Sequence, residues 1–199
     1  ASKHLEWAAG KDEIANKGLL ISLDDRAPWK LTDKRPTAVN TRAQRPQGQI
    51  ESCAGCHSRR QELAHRQEDA AFLENYSLSL LLDGLYFADG QIQDEVYVYG
   101  SFLQSKMHAE GVVCSNCHEP HSLQLRAEGN ALCSQCHNAE VFDTPAHHHH
   151  KISSQGSQCV ECHMPERTYM VVDPRRDHSF RVPKPALSGV LGTPNACSG

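Results

Sequence analysis

Eight cysteines of the chain fall in four pairs of one spacing: Cys53-Ala-Gly-Cys56-His57, Cys114-Ser-Asn-Cys117-His118, Cys133-Ser-Gln-Cys136-His137 and Cys159-Val-Glu-Cys162-His163. Each reads C-x-x-C-H, the pattern of covalent c-type haem attachment. We number them motifs 1 to 4. Two thiols one helical turn apart can each add to a haem vinyl group and form a thioether. The next residue, an imidazole, then lies beneath the macrocycle and binds its iron. The expected proximal ligands are His57, His118, His137 and His163, and the expected cofactors are four covalently bound haems.

Three rival chemistries use close cysteine pairs. Motifs 2 and 3 also match a C-x₂-C-x₁₅₋₂₀-C-x₂-C zinc spacing. Zinc, however, does not require a histidine after each second cysteine. At 13 histidines in 199 residues, four such histidines arise by chance with a probability of roughly 2 in 100,000. Disulfides within each pair leave the same histidines unexplained, and their tiny loops gain little from cross-linking. A thioredoxin-like motif does not recur four times in one small chain.

Nine histidines remain: His4, His65, His108, His121, His147, His148, His149, His150 and His178. The chain has only three methionines, and Met164 directly follows a proximal histidine. That surplus favours bis-His iron over His/Met iron, which places the reduction potentials lower. His121 follows motif 2 by three residues, too close to reach over the same haem but well placed to ligate a neighbour. His178 follows the last complete motif in Asp177-His-Ser-Phe. The run His147 to His150 offers four candidates; a helix would splay them around its axis, so at most one or two can point at iron. Adventitious metal binding is the bland reading of that run. His65 and His108 are as readily solvated side chains as distal ligands.

The remaining composition agrees with an interior filled by something besides side chains. Only 39% of residues are apolar and 6% aromatic, below what a core of this length normally uses. The net charge is −4, so there is no basic field for nucleic acid. No apolar run approaches a membrane span; the richest, Leu78 to Phe87, is broken by Asp83 and Gly84. No signal peptide stands at the start.

The elements that must position the motifs are short. His4, Trp7, Ile14 and Leu19 recur at helical intervals within residues 1–20. Residues 27–50 hold Pro28, Pro36 and Pro46 with Lys30, Lys34, Arg35, Arg42 and Arg45, and read as an irregular linker or wrapping loop. Residues 58–82 fit a helix. The strongest helix runs over 94–108, capped by Asp94, with Val96, Tyr99, Leu103 and Met107 on one face. Residues 94–199 form the haem-dense region. Beyond 170, Pro174, Pro183, Pro185 and Pro194 argue against long elements. The expected architecture is mainly α with extensive irregular loops, short helices wrapped around packed haems in one domain over 1–199. Arg59, Arg60, Arg126, Arg167, Arg175, Arg176 and Arg181 lie near motifs or ligand candidates and suit haem propionates, with Arg175-Arg176 foremost.

Several stretches are similar to a known family. They are Tyr97-Val-Tyr-Gly-Ser-Phe-Leu-Gln-Ser-Lys-Met107, Gly111-Val-Val-Cys-Ser-Asn-Cys-His-Glu-Pro-His-Ser122, Cys162-His-Met-Pro165 and Arg167-Thr-Tyr-Met-Val-Val-Asp-Pro-Arg-Arg-Asp-His-Ser-Phe-Arg181. They resemble multihaem cytochromes c with doubled C-x-x-C-H motifs, often fused to tetratricopeptide repeats, within the superfamily of nitrite reductase and hydroxylamine oxidoreductase relatives. The resemblance implies a periplasmic or otherwise extracytoplasmic bacterial or archaeal protein with redox partner proteins and closely paired bis-His haems. It also supports His121, His178 and one of His147 to His150 as distal ligands. By the same resemblance His4 is a distal ligand for a haem attached in or just before this segment.

The ends extend this expectation. Cys197-Ser-Gly is half of a C-x-x-C-H motif, the partial fifth, and the start is similar to the segment after a haem motif. Both imply an internal fragment of a protein with more haems. The expected function is electron transfer in a respiratory chain, because six-coordinate iron has no open position for substrate. A multihaem oxidoreductase acting on a small nitrogen compound is the alternative, although no C-x-x-C-K motif is present. A zinc-binding module is the second alternative.

Overall fold

The computed structural model describes residues 2–11, 13–23, 26, 28–42, 47–63, 65, 67 and 70–197. Arg45 and Pro46 of the expected linker, and Ser198 and Gly199, lie outside the described residues. No element exceeds about three helical turns. In chain order the helices are α1 Ser2–Ala8, α2 Gln47–His57, α3 Phe72–Asn75, α4 Tyr99–Leu103, α5 Lys106–Ala109, α6 Ala131–Ser134, α7 Ala139–Phe142, α8 Pro145–His148, α9 Cys159–His163 and α10 Pro185–Leu191. The strands are β1 Trp29–Thr32, β2 Arg35–Asn40, β3 Arg60–Glu62, β4 Tyr76–Leu78, β5 Glu166–Tyr169 and β6 Asp173–Arg176. They pair as three separate antiparallel ribbons, β1–β2, β3–β4 and β5–β6. Helices and ribbons are both short, and among the described residues the architecture is ten short helices, three two-stranded ribbons and loops.

Three expected elements differ. Residues 27–50 are not irregular throughout, because β1 and β2 pair with Trp29 opposite Asn40 and Thr32 opposite Arg35. The 94–108 helix is two helices. Ser105 interrupts it, its hydroxyl accepting the His108 N–H at 2.9 Å as the N-cap of α5. Asp94 caps nothing; its carboxylate pairs with Arg59 at 3.1 Å. In 58–82 the chain runs as β3, α3 and β4, since the residues after motif 1 pair Arg60 with Leu78 and Glu62 with Tyr76.

Buried apolar side chains gather in three small clusters. Ile50, Phe102 and Val113 form one; Ala54, Phe72 and Tyr76 a second; Tyr86, Ile92 and Val96 a third. Tyr99 bridges the first two, its ring 5.3 Å from that of Phe72. Ile50 and Ala54, one turn apart on α2, thus carry motif 1 on the seam between two clusters. Large apolar side chains elsewhere stand in solvent, among them Leu80, Leu82, Leu123, Val171 and Val190. No helix is long and apolar enough to cross a membrane among the described residues.

Candidate haem-binding sites

Each thiol pair sits on a helical turn. Motif 1 ends α2 and motif 4 is α9 itself. Motif 2 starts as a 3₁₀ turn over Cys114–Asn116, closed by His118 N–H to the Cys114 carbonyl at 2.9 Å. Motif 3 closes in the same way, His137 N–H to the Cys133 carbonyl at 3.0 Å. The turn places the two sulfurs of each pair on one side, with the imidazole next in the chain. That is the donor set haem c attachment needs, so the residues fit the group that the motifs imply.

The ribbons act as braces. β2 runs beside motif 3, Ala38 N–H donating to the Cys136 carbonyl at 2.7 Å and Asn138 N–H to the Pro36 carbonyl at 2.8 Å. The β5–β6 ribbon leaves motif 4 and returns, with Glu166 opposite Arg176, delivering His178 to the middle of the molecule. There the His178 N–H donates to the Ser101 hydroxyl at 3.2 Å.

Imidazoles from distant positions come together in pairs with nearly parallel planes. His118 and His178 have ring centres 6.4 Å apart and planes 22° from parallel. His163 and His147 are 6.1 Å apart at 13°. His4 and His121 are 6.5 Å apart at 24°, and neither directly follows a thiol pair. A carbonyl anchors one ring of each pair through Nδ1: Arg176 for His178 at 2.9 Å, Arg181 for His163 at 2.7 Å and Lys17 for His4 at 2.8 Å. Such an anchor fixes the tautomer that leaves Nε2 free for a metal. Desolvation lowers the pKa of His118, His137, His147 and His178, keeping these rings in the neutral form that ligates metal.

The histidine run separates by geometry. His147 faces His163, with Phe142 edge-on at 5.3 Å. His148 accepts the His150 N–H on Nδ1 at 3.1 Å, which puts its proton on Nε2 and takes that atom out of metal binding as it stands. Its Nε2 is buried without a partner. His149 is exposed and ends α8 in the left-handed conformation. The His150 ring lies so close to Gly156 that a Cβ there would meet it at 2.6 Å. His65 is exposed, and His108 packs edge-on to Phe102 at 5.4 Å.

The arginines expected at propionates are engaged by protein groups. Arg175 pairs with Glu95 and Asp173 and stacks on Tyr97 at 5.0 Å. Arg176 pairs with Glu161 at 2.8 Å and donates to the Met164 carbonyl at 3.1 Å, closing the end of α9. Arg59 is held by Asp94, Arg126 by the Ser115 carbonyl at 2.6 Å, and Arg181 by Gln104 at 3.0 Å. Arg167 lies over Phe87 at 5.0 Å, and Arg60 over Tyr76 at 4.6 Å.

The thiols interact between motifs. Cys53 hydrogen-bonds Cys114, and Cys133 hydrogen-bonds Cys159. Within these couples the shared proton lowers Cys53 and Cys159 to about 7 and raises Cys114 and Cys133. Burial, with Cys136 nearby, pushes Cys117 up to about 11. Cys197 lies within electrostatic reach of Cys162. A zinc site of motifs 2 and 3 would draw Cys114, Cys117, Cys133 and Cys136 to one point. Among the described residues no three His, Cys, Asp or Glu stand together as a metal site. Sequence reasoning missed Gln49, Asn130 and Phe142. Asn130, a capping-type residue three before Cys133, left a signal; Gln49, a polar residue inside a helix, left none.

Comparison with known proteins bears on two of the motifs and on the fold. A family model described as a doubled CXXCH motif matches residues 107–142, spanning motifs 2 and 3. No curated protein matches the chain. Among solved structures the fold is similar to that of an outer cell wall cytochrome, OcwA, with a TM-score of 0.54 and 19% identity over 77% of this chain. The chain spans 50% of the length of OcwA. The chain thus carries a doubled CXXCH motif over residues 107–142 and has a fold similar to that of an outer cell wall cytochrome.

Proposed function

We propose that this chain transfers electrons through four covalently bound haems whose irons are mostly six-coordinate with two histidines. The observation that carries the reading is the spacing of the imidazole pairs. A metal–nitrogen bond of about 2 Å on each side, plus about 1 Å from each nitrogen to its ring centre, sets axial rings about 6 Å apart. His118 with His178, and His163 with His147, have that separation. In this reading His178 is the distal ligand at motif 2 and His147 at motif 4. His4 and His121 stand at the same spacing; a haem between them would draw its thioethers from outside the four motifs. Bound haem would supply one-electron chemistry, and His118 with His178 and His163 with His147 would hold it without an open position for substrate.

The likeness to an outer cell wall cytochrome supports an extracytoplasmic place, in a respiratory chain with redox partner proteins. A second reading, an oxidoreductase acting on a small nitrogen compound, attaches to motifs 1 and 3, because the three imidazole pairs leave out His57 and His137.

Purified holoprotein tests both. The expected pyridine-haemochrome stoichiometry is four haems per chain, with low-spin spectra that carbon monoxide does not shift. A colourless protein overturns the reading. A substoichiometric high-spin signal that binds carbon monoxide or cyanide transfers the argument to the oxidoreductase.

A further inference from the structure

Two side-chain amides tie the haem-attachment motifs together. Gln49, 2% exposed on α2, lies four residues before Cys53. Its carbonyl oxygen accepts the buried Ser115 N–H at 3.1 Å, and Ser115 stands between the two cysteines of motif 2. Its nitrogen donates to the Leu23 carbonyl at 3.1 Å. Asn130 does the equivalent for motifs 3 and 4. It lies three residues before Cys133, accepts the Cys159 N–H at 2.9 Å, and donates to the Ser157 carbonyl and Asp143, each at 2.9 Å. An amide suits the place because it donates and accepts at once without charge; an apolar or acidic substitute leaves one buried partner unsatisfied.

Motifs 2 and 3, doubled along the sequence, are therefore not the couple that the amides clamp.

We infer that the four haems form two clamped pairs, 1 with 2 and 3 with 4, and that Gln49 and Asn130 are the positioning residues that set the spacing within each pair. The inference rests on the proposal that all four motifs carry haem.

Iron positions in crystals of the wild-type holoprotein, found by anomalous scattering, test the pairing directly. The iron of motif 1 should have that of motif 2 as its nearest neighbour, and the iron of motif 3 that of motif 4. A nearest neighbour from the other pair overturns the inference. Variants of the holoprotein test the clamps. Asn130→Ala and Gln49→Met should each keep four haems but lose about half of the Soret circular-dichroism couplet, and the losses should add in the double variant. Gln49→Glu, which keeps the acceptor toward Ser115, should retain the couplet. A full couplet in both single variants rules out the clamp role. Fewer than four irons in the wild type would instead count against the proposed function.

Discussion

His118 and His178 face each other with ring centres 6.4 Å apart, although 60 residues separate them in the chain. His118 belongs to motif 2. His178 arrives on the strand that returns from motif 4, its Nδ1 held by the Arg176 carbonyl at 2.9 Å and its backbone N–H by Ser101 at 3.2 Å. The carbonyl on Nδ1 leaves the His178 Nε2 free, and the proposed function places one iron between the two rings. His178→Ala should convert one haem of the holoprotein, that of motif 2, from low-spin to high-spin. Exogenous imidazole should restore it. Electron paramagnetic resonance reads the change directly; an unchanged low-spin count refutes the ligand pair.

The four-histidine run makes a sharper test, because composition alone treats its members as equals. His147 stands 6.1 Å from His163, whereas His148 has its Nδ1 occupied by the His150 N–H. His147→Ala should open the haem of motif 4 and make it bind carbon monoxide. His149→Ala, at an exposed left-handed position, should leave all spectra unchanged. If His149→Ala opens a haem and His147→Ala does not, the assignment within the run is reversed.

The attachment motifs were legible in the sequence because thioether chemistry imposes one spacing, C-x-x-C-H, on any fold. Their helical turns follow from the same spacing. The partnering of His118 with His178 was not legible, since it depends on where the β5–β6 ribbon turns back, and turns at Met170 and Val171 carry no glycine or asparagine to announce them. The β1–β2 ribbon was hidden for a related reason. Its charged and proline-rich residues look solvated, yet the Pro36 carbonyl and Ala38 N–H are what motif 3 binds. The 94–108 segment had helical periodicity, and Ser105 divided it by capping a second helix. Periodicity cannot register a cap that falls inside its own window.

Arg175 shows how a favoured assignment changes once neighbours are known. Its guanidinium is bound by Glu95 and Asp173 and lies against Tyr97, so the donors a propionate would need are occupied. The Glu95 and Arg175 side chains are only 15% and 27% exposed. Arg175→Ala should therefore lower stability by about 1–3 kcal/mol, through the carboxylate left half-buried and unpaired. The haem potentials should stay unchanged. Thermal unfolding and a redox titration on the same holoprotein separate the two roles: a potential shift without a stability loss would return Arg175 to a propionate.

Removal of haem should abolish the fold. The protein's own apolar core is three clusters of three buried residues each, while Leu80, Leu81, Leu82, Val171 and Val190 are more than half exposed. Small domains with so little buried apolar surface are marginal unless a cofactor or cross-link adds to it. Four macrocycles lying between the motif turns would supply that surface, and binding energy released only in the folded state becomes folding energy. A chain with all eight motif cysteines replaced by alanine cannot form thioethers. It should show no cooperative thermal transition and poorly dispersed amide resonances, whereas the holoprotein should melt cooperatively. A cooperative transition in the chain without motif cysteines would mean that the three clusters suffice and that the haems occupy a scaffold already formed.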